Sequence, residues 1–283
     1  MFGKYFAWSK VVVAAAMLAI SMSAMPVQAK EGDTLETMLK TKTLRVGWII
    51  NPPGSAKNLK TGEIEGFYID IIKFILAQVN VTPQFVETKW ATFPAGLQSN
   101  QFDILVGGTF STIPRAAALA FTTPLFYEGY TAAARTGDDR FHSLADIDKP
   151  GITVAVVQGS GGHEFVKRTF KNATITALDS ADLAADLNEV QMKRADVAIE
   201  DTFTTQRYMK DHPGLVNLFI DKPFNMAPIA WGMRRDDQEL REFIDKSLEW
   251  MSVNGKIDEI INNYPGAARY VVDWKFREIK PVR

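Results

Sequence analysis

A strand-and-helix alternation that starts twice limits this chain more than any other feature. Thr43-Leu-Arg-Val-Gly-Trp48 and Gly151-Ile-Thr-Val-Ala-Val-Val157 each read as a short buried strand after a polar lead-in, and each opens a new unit. The first continues with an apolar run at 67, 71, 72, 74, 75 and 76, suited to a mostly buried helix, then strand Thr82–Glu87, helix Phe93–Ser99, strand Phe102–Val106 and a helix opened by Pro114. The second continues with helix His163–Phe170, strand Thr174–Ala177, helix Ala181–Gln191, strand Asp196–Glu200 and helix Thr202–Met209. Such alternation predicts parallel sheets covered by helices, in two α/β units. Tyr130–Arg135 and Ile229–Arg234 read as extended segments that pair where the chain crosses between the units and returns. Helices Gln238–Val253 and Ile257–Tyr264 then pack on the first unit, and residues 267–283 are left unplaced.

Residues 1–29 stand outside that fold. Lys4 and Lys10 flank an apolar run that closes with Val27-Gln28-Ala29, the pattern of a secretory signal peptide cleaved after Ala29; an uncleaved anchor is the alternative. Removing them takes two lysines and no acid, so the formal charge moves from -1 to -3. With no basic tract, nucleic acid is excluded as a partner. With no cysteine, disulfides, thiolate metal sites and a lipid-modified N-terminal cysteine are excluded, and the apolar core alone must stabilise the exported protein.

The chemistry concentrates in Phe102-Asp-Ile-Leu-Val-Gly-Gly-Thr-Phe-Ser-Thr-Ile-Pro-Arg115. A buried strand, two glycines that let the backbone turn, hydroxyls, and a proline opening a helix make an anion site, with Arg115 as a fixed fork for carboxylate or phosphate. An arginine in a helix's first turn opposes the helix dipole, which itself argues for an anion nearby. Gly159-Ser-Gly-Gly-His-Glu164 is a second glycine turn after a strand, but it lacks the sixth-position glycine of a dinucleotide fingerprint because Glu164 stands there. His142, His163 and His212 lack metal-ligand spacing, and His163 reads as solvent-facing. No cofactor is predicted.

Taken together, Leu44-Arg-Val-Gly47, Gly66-Phe-Tyr-Ile-Asp70, Trp90 with Ala95-Gly-Leu-Gln-Ser-Asn-Gln-Phe-Asp103, Arg115-Ala116 with Phe121-Thr-Thr-Pro124, Val156-Val-Gln-Gly-Ser160 and Arg194-Ala-Asp-Val-Ala-Ile-Glu-Asp201 resemble the family 3 periplasmic solute-binding proteins, the polar amino-acid receptors of ABC importers. The resemblance covers nearly all of residues 38–266. It implies a type II periplasmic-binding-protein fold: two α/β lobes, 30–133 plus 229–283 and 134–228, joined by two hinge strands and closing over a ligand in the cleft. It further implies a soluble, monomeric periplasmic protein that docks on an inner-membrane ABC permease. By the same resemblance Arg115 grips the ligand α-carboxylate and Asp201 the α-ammonium. Gly159, Ser160 and Gly161 complete carboxylate binding, Trp90 walls the side-chain pocket, and a hydroxyl before Arg115, from Ser111 or Thr109, assists. Asp70 reads as structural.

The physics of a zwitterion agrees with that division, since each buried charge needs a partner and only closure brings both together. The chain departs from the family at Asn51-Pro-Pro-Gly54, where aromatics are usual, and at Gly159-Ser-Gly161, which lacks a threonine. Cyclohexadienyl dehydratases look like this family throughout, and Asp139–Gly151 is similar to them. They carry a glutamate three residues after the aspartate matching Asp201, and Thr204 stands there instead, so a dehydratase is the alternative and not the first reading. A receptor serving a sensor would use the same lobes.

Overall fold

The computed structural model describes residues 34–264, so the signal-peptide reading and the 267–283 segment lie outside the described residues. Along the chain run α1 (Thr34–Thr41), β1 (Thr43–Trp48), the short β2 (Ala56–Lys57) and β3 (Ile64–Glu65), α2 (Phe67–Ala77), β4 (Thr82–Glu87), α3 (Phe93–Gln98), β5 (Ile104–Val106), α4 (Ile113–Ala118), β6 (Ala120–Phe121) and β7 (Phe126–Arg135). Then follow α5 (Leu144–Ile147), β8 (Thr153–Val157), α6 (Gly161–Thr169), β9 (Thr174–Leu178), α7 (Ala185–Gln191), β10 (Val197–Asp201), α8 (Thr202–Asp211), β11 (Leu215–Asn217), β12 (Phe224–Ile229), β13 (Gly232–Met233), α9 (Gln238–Val253) and α10 (Lys256–Asn262).

The strands form two main sheets. In the first the order is β4-β1-β5-β13-β6, with β1 parallel to both β4 and β5; in the second it is β11-β7-β10-β8-β9, with β12 paired to β7. The parallel pairs are those expected from the alternation, because a strand followed by a helix returns to the same edge direction. Helix α2 buries Phe67, Tyr68, Ile69, Ile71, Ile72, Ile75 and Leu76, and each such side chain removed from water contributes about 1.5–3 kcal/mol. Asp70, in its first turn, accepts a hydrogen bond from the Tyr264 hydroxyl at 2.5 Å, so it ties α2 to the end of α10 as a structural residue.

The crossing strands differ from the expectation. Antiparallel β7 pairs with β12 through Phe126↔Ile229, Tyr127↔Pro228, Glu128↔Ala227 and Tyr130↔Phe224. The alanine run 132–134 lies inside the second sheet between β10 and β11, and Gly232-Met233 has already joined the first sheet between β5 and β6. Small buried side chains at 132–134 suit a central strand covered on both faces, which explains why that part of β7 is not the crossing itself.

Candidate functional site

The turn after β5 is strapped to the crossing strand. Ser111 donates both its backbone N–H (2.9 Å) and its hydroxyl (3.2 Å) to the Pro228 carbonyl. Thr112 caps α4 by accepting from Arg115 N at 3.4 Å, and Ile113 precedes Pro114, which therefore stands second in the helix and not first. Thr109 is buried, and its hydroxyl has no hydrogen-bond partner among the described residues.

Arg115 points inward from α4 with a side chain only 5% exposed. Its Nε donates to Glu164 Oε1 at 2.9 Å, its Nη1 to the Phe110 carbonyl at 3.1 Å and its Nη2 to the Gly159 carbonyl at 2.8 Å. The guanidinium also lies 5.3 Å from the Phe93 ring centroid. A guanidinium has five N–H donors, so one on each Nη remains for a ligand. Glu164 belongs to α6, beside the other sheet. The anion that the arginine's position called for is thus, in this structure, one of the protein's own.

The second sheet supplies a turn shaped for close approach. Gly159 has φ +76°, and a Cβ there would stand 2.4 Å from Ala91 Cα, so only glycine lets the turn meet the first-sheet side. A Cβ on Gly161 would stand 1.6 Å from the Tyr130 hydroxyl oxygen. Ser160 is buried and caps α6, accepting from His163 N at 3.2 Å. His163 is half-buried and not solvent-facing: its Nδ1 accepts the Gly159 N–H at 3.1 Å, and burial lowers its pKa below the usual histidine value.

Asp201 ends β10 and caps α8. Its carboxylate accepts the Thr204 N–H at 2.6 Å and the Thr204 hydroxyl at 2.9 Å. Glu128, on β7, accepts the Phe203 N–H at 2.8 Å and the Thr202 hydroxyl at 3.1 Å. Burial, then the charge of Asp201, pushes the Glu128 carboxyl well above its usual value. Glu200 points to the opposite face, towards α7, as strand alternation requires; burial, then Asp186 and Asp201, raises it too. No salt bridge to any of these carboxylates occurs among the described residues.

Tyr130 stacks on Phe110 with centroids 4.4 Å apart. Its hydroxyl has no partner among the described residues, and burial raises its pKa well above the usual phenol value against the pull of the Arg115 cation, with Glu200 and Asp201 adding to the rise. The hydroxyl therefore lies in the field of both predicted ligand-binding charges. Arg115, Gly159, Gly161 and Ser160 cluster around this point or one contact away, while Thr109 bonds, among the described residues, only to the backbone of Gly107 and Ala230. Ser111 instead faces the crossing strand. Trp90 is buried edge-on against Phe93 at 6.1 Å, one ring behind the arginine, in a cluster that includes Val157 and Leu183 of the second-sheet side.

Sequence reasoning passed over Glu164, Tyr130 and Glu128. Glu164 was visible only as the residue that spoils a dinucleotide fingerprint. Glu128 did carry a signal, a lone charge in the otherwise apolar strand Phe126-Tyr-Glu-Gly-Tyr130. Among the described residues no group of three or more His, Asp or Glu is arranged to hold a metal ion, and no helix is long and apolar enough to cross a membrane.

Several known proteins are similar to this chain in sequence and fold. A Haemophilus influenzae protein with the name Probable amino-acid ABC transporter-binding protein is 26% identical over 81% of this chain and 87% of its own length. The cyclohexadienyl dehydratase of Pseudomonas aeruginosa is 24% identical over 89% of this chain and 93% of its own. Among solved structures, an ancestral amino acid-binding protein described as a precursor of cyclohexadienyl dehydratase superposes with a TM-score of 0.73 at 28% identity, covering 82% of this chain and 99% of that one. An ancestral arginine-binding protein bound to arginine gives 0.71 at 27%, covering 80% and 99%. The fold is the type II periplasmic-binding-protein arrangement of two α/β lobes joined by β7 and β12, with the cleft between them. Residues 44–267 match the model of the bacterial extracellular solute-binding proteins, family 3, and the chain belongs to that family.

Proposed function

We propose that this protein is the substrate-binding component of an ABC importer and holds an α-amino acid, or a similar small carboxylate, in the cleft beside Tyr130. The observation that carries the reading is the buried Arg115 fork with two N–H donors left over, placed so that one buried tyrosine hydroxyl feels both it and Asp201. The ligand carboxylate meets the spare Nη donors of Arg115 and the Gly161 N–H, with the Thr109 hydroxyl as a further donor. The ammonium meets Asp201. The first sheet supplies Arg115, and the second supplies Asp201 and the Gly161 turn, so the ligand stabilises the closed form by bridging them.

Binding without turnover fits the residues better than dehydration. Thr204, where the dehydratases place their acid, gives both its donors to Asp201, and a hydroxyl cannot protonate a leaving group as a carboxylic acid does. The same reading makes the mature protein a monomer that begins at Lys30 after export and presents its closed form to an inner-membrane permease.

Calorimetry and thermal shift of the exported protein against the common amino acids, arogenate and prephenate test this. Micromolar or tighter binding of an amino acid, with arogenate and prephenate left unconverted, is the expected result. Conversion of either overturns it, as does failure of every amino acid to bind. Mass spectrometry of the exported chain checks the predicted N-terminus at Lys30.

A further inference from the structure

Asp201 is not the only carboxylate at the ammonium end. In the antiparallel β7–β10 pair Asp201 lies directly opposite Tyr130, and opposed residues project to the same face of a sheet. Glu128, two residues from Tyr130 on β7, shares that face. The two carboxylates converge on consecutive amides of one helical turn, Glu128 on Phe203 N–H and Asp201 on Thr204 N–H. Glu128 uses one oxygen, Oε1, for both the Phe203 N–H and the Thr202 hydroxyl, and its carboxyl also lies within hydrogen-bond reach of Asp201.

A helix cap does not account for this pair. A helix N-terminus carries about half a unit of positive charge, and Asp201 alone is already a full counter-charge in the cap position. No lysine or arginine among the described residues forms a salt bridge with either carboxylate. The first-sheet side adds no cation there either: it presents Tyr68, which is buried and whose hydroxyl lies in the field of both acids. Tyr130, 1% exposed and with its hydroxyl unpartnered, completes the enclosure. Asp201 is buried and Glu128 half-buried, and with no cation beside them among the described residues the pair is held together by a proton on Glu128 shared with Asp201, which a ligand cation can replace.

Resting on the amino-acid-binding reading above, we propose that Glu128 is a specificity-determining residue that, with Asp201, selects ligands of net positive charge, the diamino and guanidino acids, over neutral and acidic amino acids. A neutral zwitterion brings one cation to two carboxylates and leaves Glu128 to be neutralised by a proton. A ligand with a second cationic group leaves both carboxylates ionised and compensated.

Titration calorimetry with lysine, arginine, glutamine and glutamate, on the wild-type protein and on Glu128→Gln, tests the proposal. Lysine or arginine is expected to bind at least tenfold more tightly than glutamine, with glutamate weakest, and Glu128→Gln to erase most of that tenfold gap while changing glutamine affinity less than threefold. Tightest binding of glutamine or glutamate by the wild type overturns the proposal while leaving the amino-acid reading intact. An equal loss for all ligands in the variant overturns it as well. Binding of none of them or of any other amino acid overturns both. The wild-type ranking stands even if the variant fails to fold.

Discussion

Arg115 Nε lies 2.9 Å from Glu164 Oε1, an ion pair that ties α4 beside the first sheet to α6 beside the second. About a third of the Glu164 side chain remains exposed while Arg115 is enclosed. Solvent therefore screens the pair, and its contribution is on the order of 1 kcal/mol. That suffices to bias a two-state hinge. Glu164→Gln is expected to lower the closed-to-open ratio of the unliganded protein roughly fivefold. Small-angle scattering checks this: the ligand-free variant should show a larger radius of gyration than the wild type, and saturating ligand should abolish the difference.

Replacing Arg115 removes more than a charge. Arg115→Ala leaves the ligand carboxylate, the Phe110 carbonyl and the Gly159 carbonyl without their donor, and breaking one side of such a buried pair costs about 2–5 kcal/mol, at least roughly thirtyfold in affinity. Arg115→Lys keeps the charge but not the fork, so it is expected to recover only part of the loss. Calorimetry against the tightest amino acid measures both, and unchanged affinity in Arg115→Ala would refute the assigned pose.

Gly159→Ala separates closure from folding. A left-handed conformation at a non-glycine residue costs about 1–2 kcal/mol, a modest drop in unliganded melting temperature. Closure suffers more, because the new Cβ meets backbone atoms of Ala91 at 2.4 and 2.6 Å, which cannot rotate aside as a side chain would. The expected outcome is a protein that melts within a few degrees of the wild type yet gains little or no stabilisation from ligand. Full ligand stabilisation in a thermal-shift titration would show that the two sides do not meet there.

The buried acids predict an unusual pH response. Burial, reinforced by neighbouring carboxylates, raises Glu128, Asp186 and Glu200. Groups with raised folded-state values contribute stability that is present below their unfolded values and lost as the pH rises through the folded ones. The ligand-free protein should therefore melt higher in mildly acidic buffer than at neutral pH. Below the ordinary carboxylate range the trend reverses. There Asp103, where hydrogen bonds from Arg45 and Arg234 outweigh the effect of burial, and Asp196, where Arg140 does the same, lose the ion pairs that hold them low. Melting curves from neutral down to strongly acidic pH should show a maximum, and a steady fall from neutral would contradict the raised values assigned to these three carboxyls.

Local order was legible in the chain itself. The strands at 43–48, 82–87 and 153–157 and the helix at 67–77 follow from apolar periodicity, and Asp201 from its place before Thr202 as a helix cap, because these signals act over a few residues. Arg115 was legible as an oddity of charge at a helix start. Its counter-ion was not: Glu164 is 49 residues away, and nothing in the stretch Gly159–Glu164 says which sheet it will face. Nor could the alternation show that β7 crosses as 126–130, since alanines and aromatics are equally extended there and only burial on both faces decides which part enters the sheet. Glu128 reaches Phe203 across 75 residues.

The sequence by itself determined the two α/β units, the glycine turns, an arginine at a helix start and an aspartate placed to cap the helix at Thr202, all consequences of short-range propensity and charge placement. Only the tertiary structure decided that the arginine is held by Glu164 and that a second acid stands beside Asp201. Proximity across sheets, and the desolvation that makes a buried charge matter, arise from contacts between residues far apart along the chain.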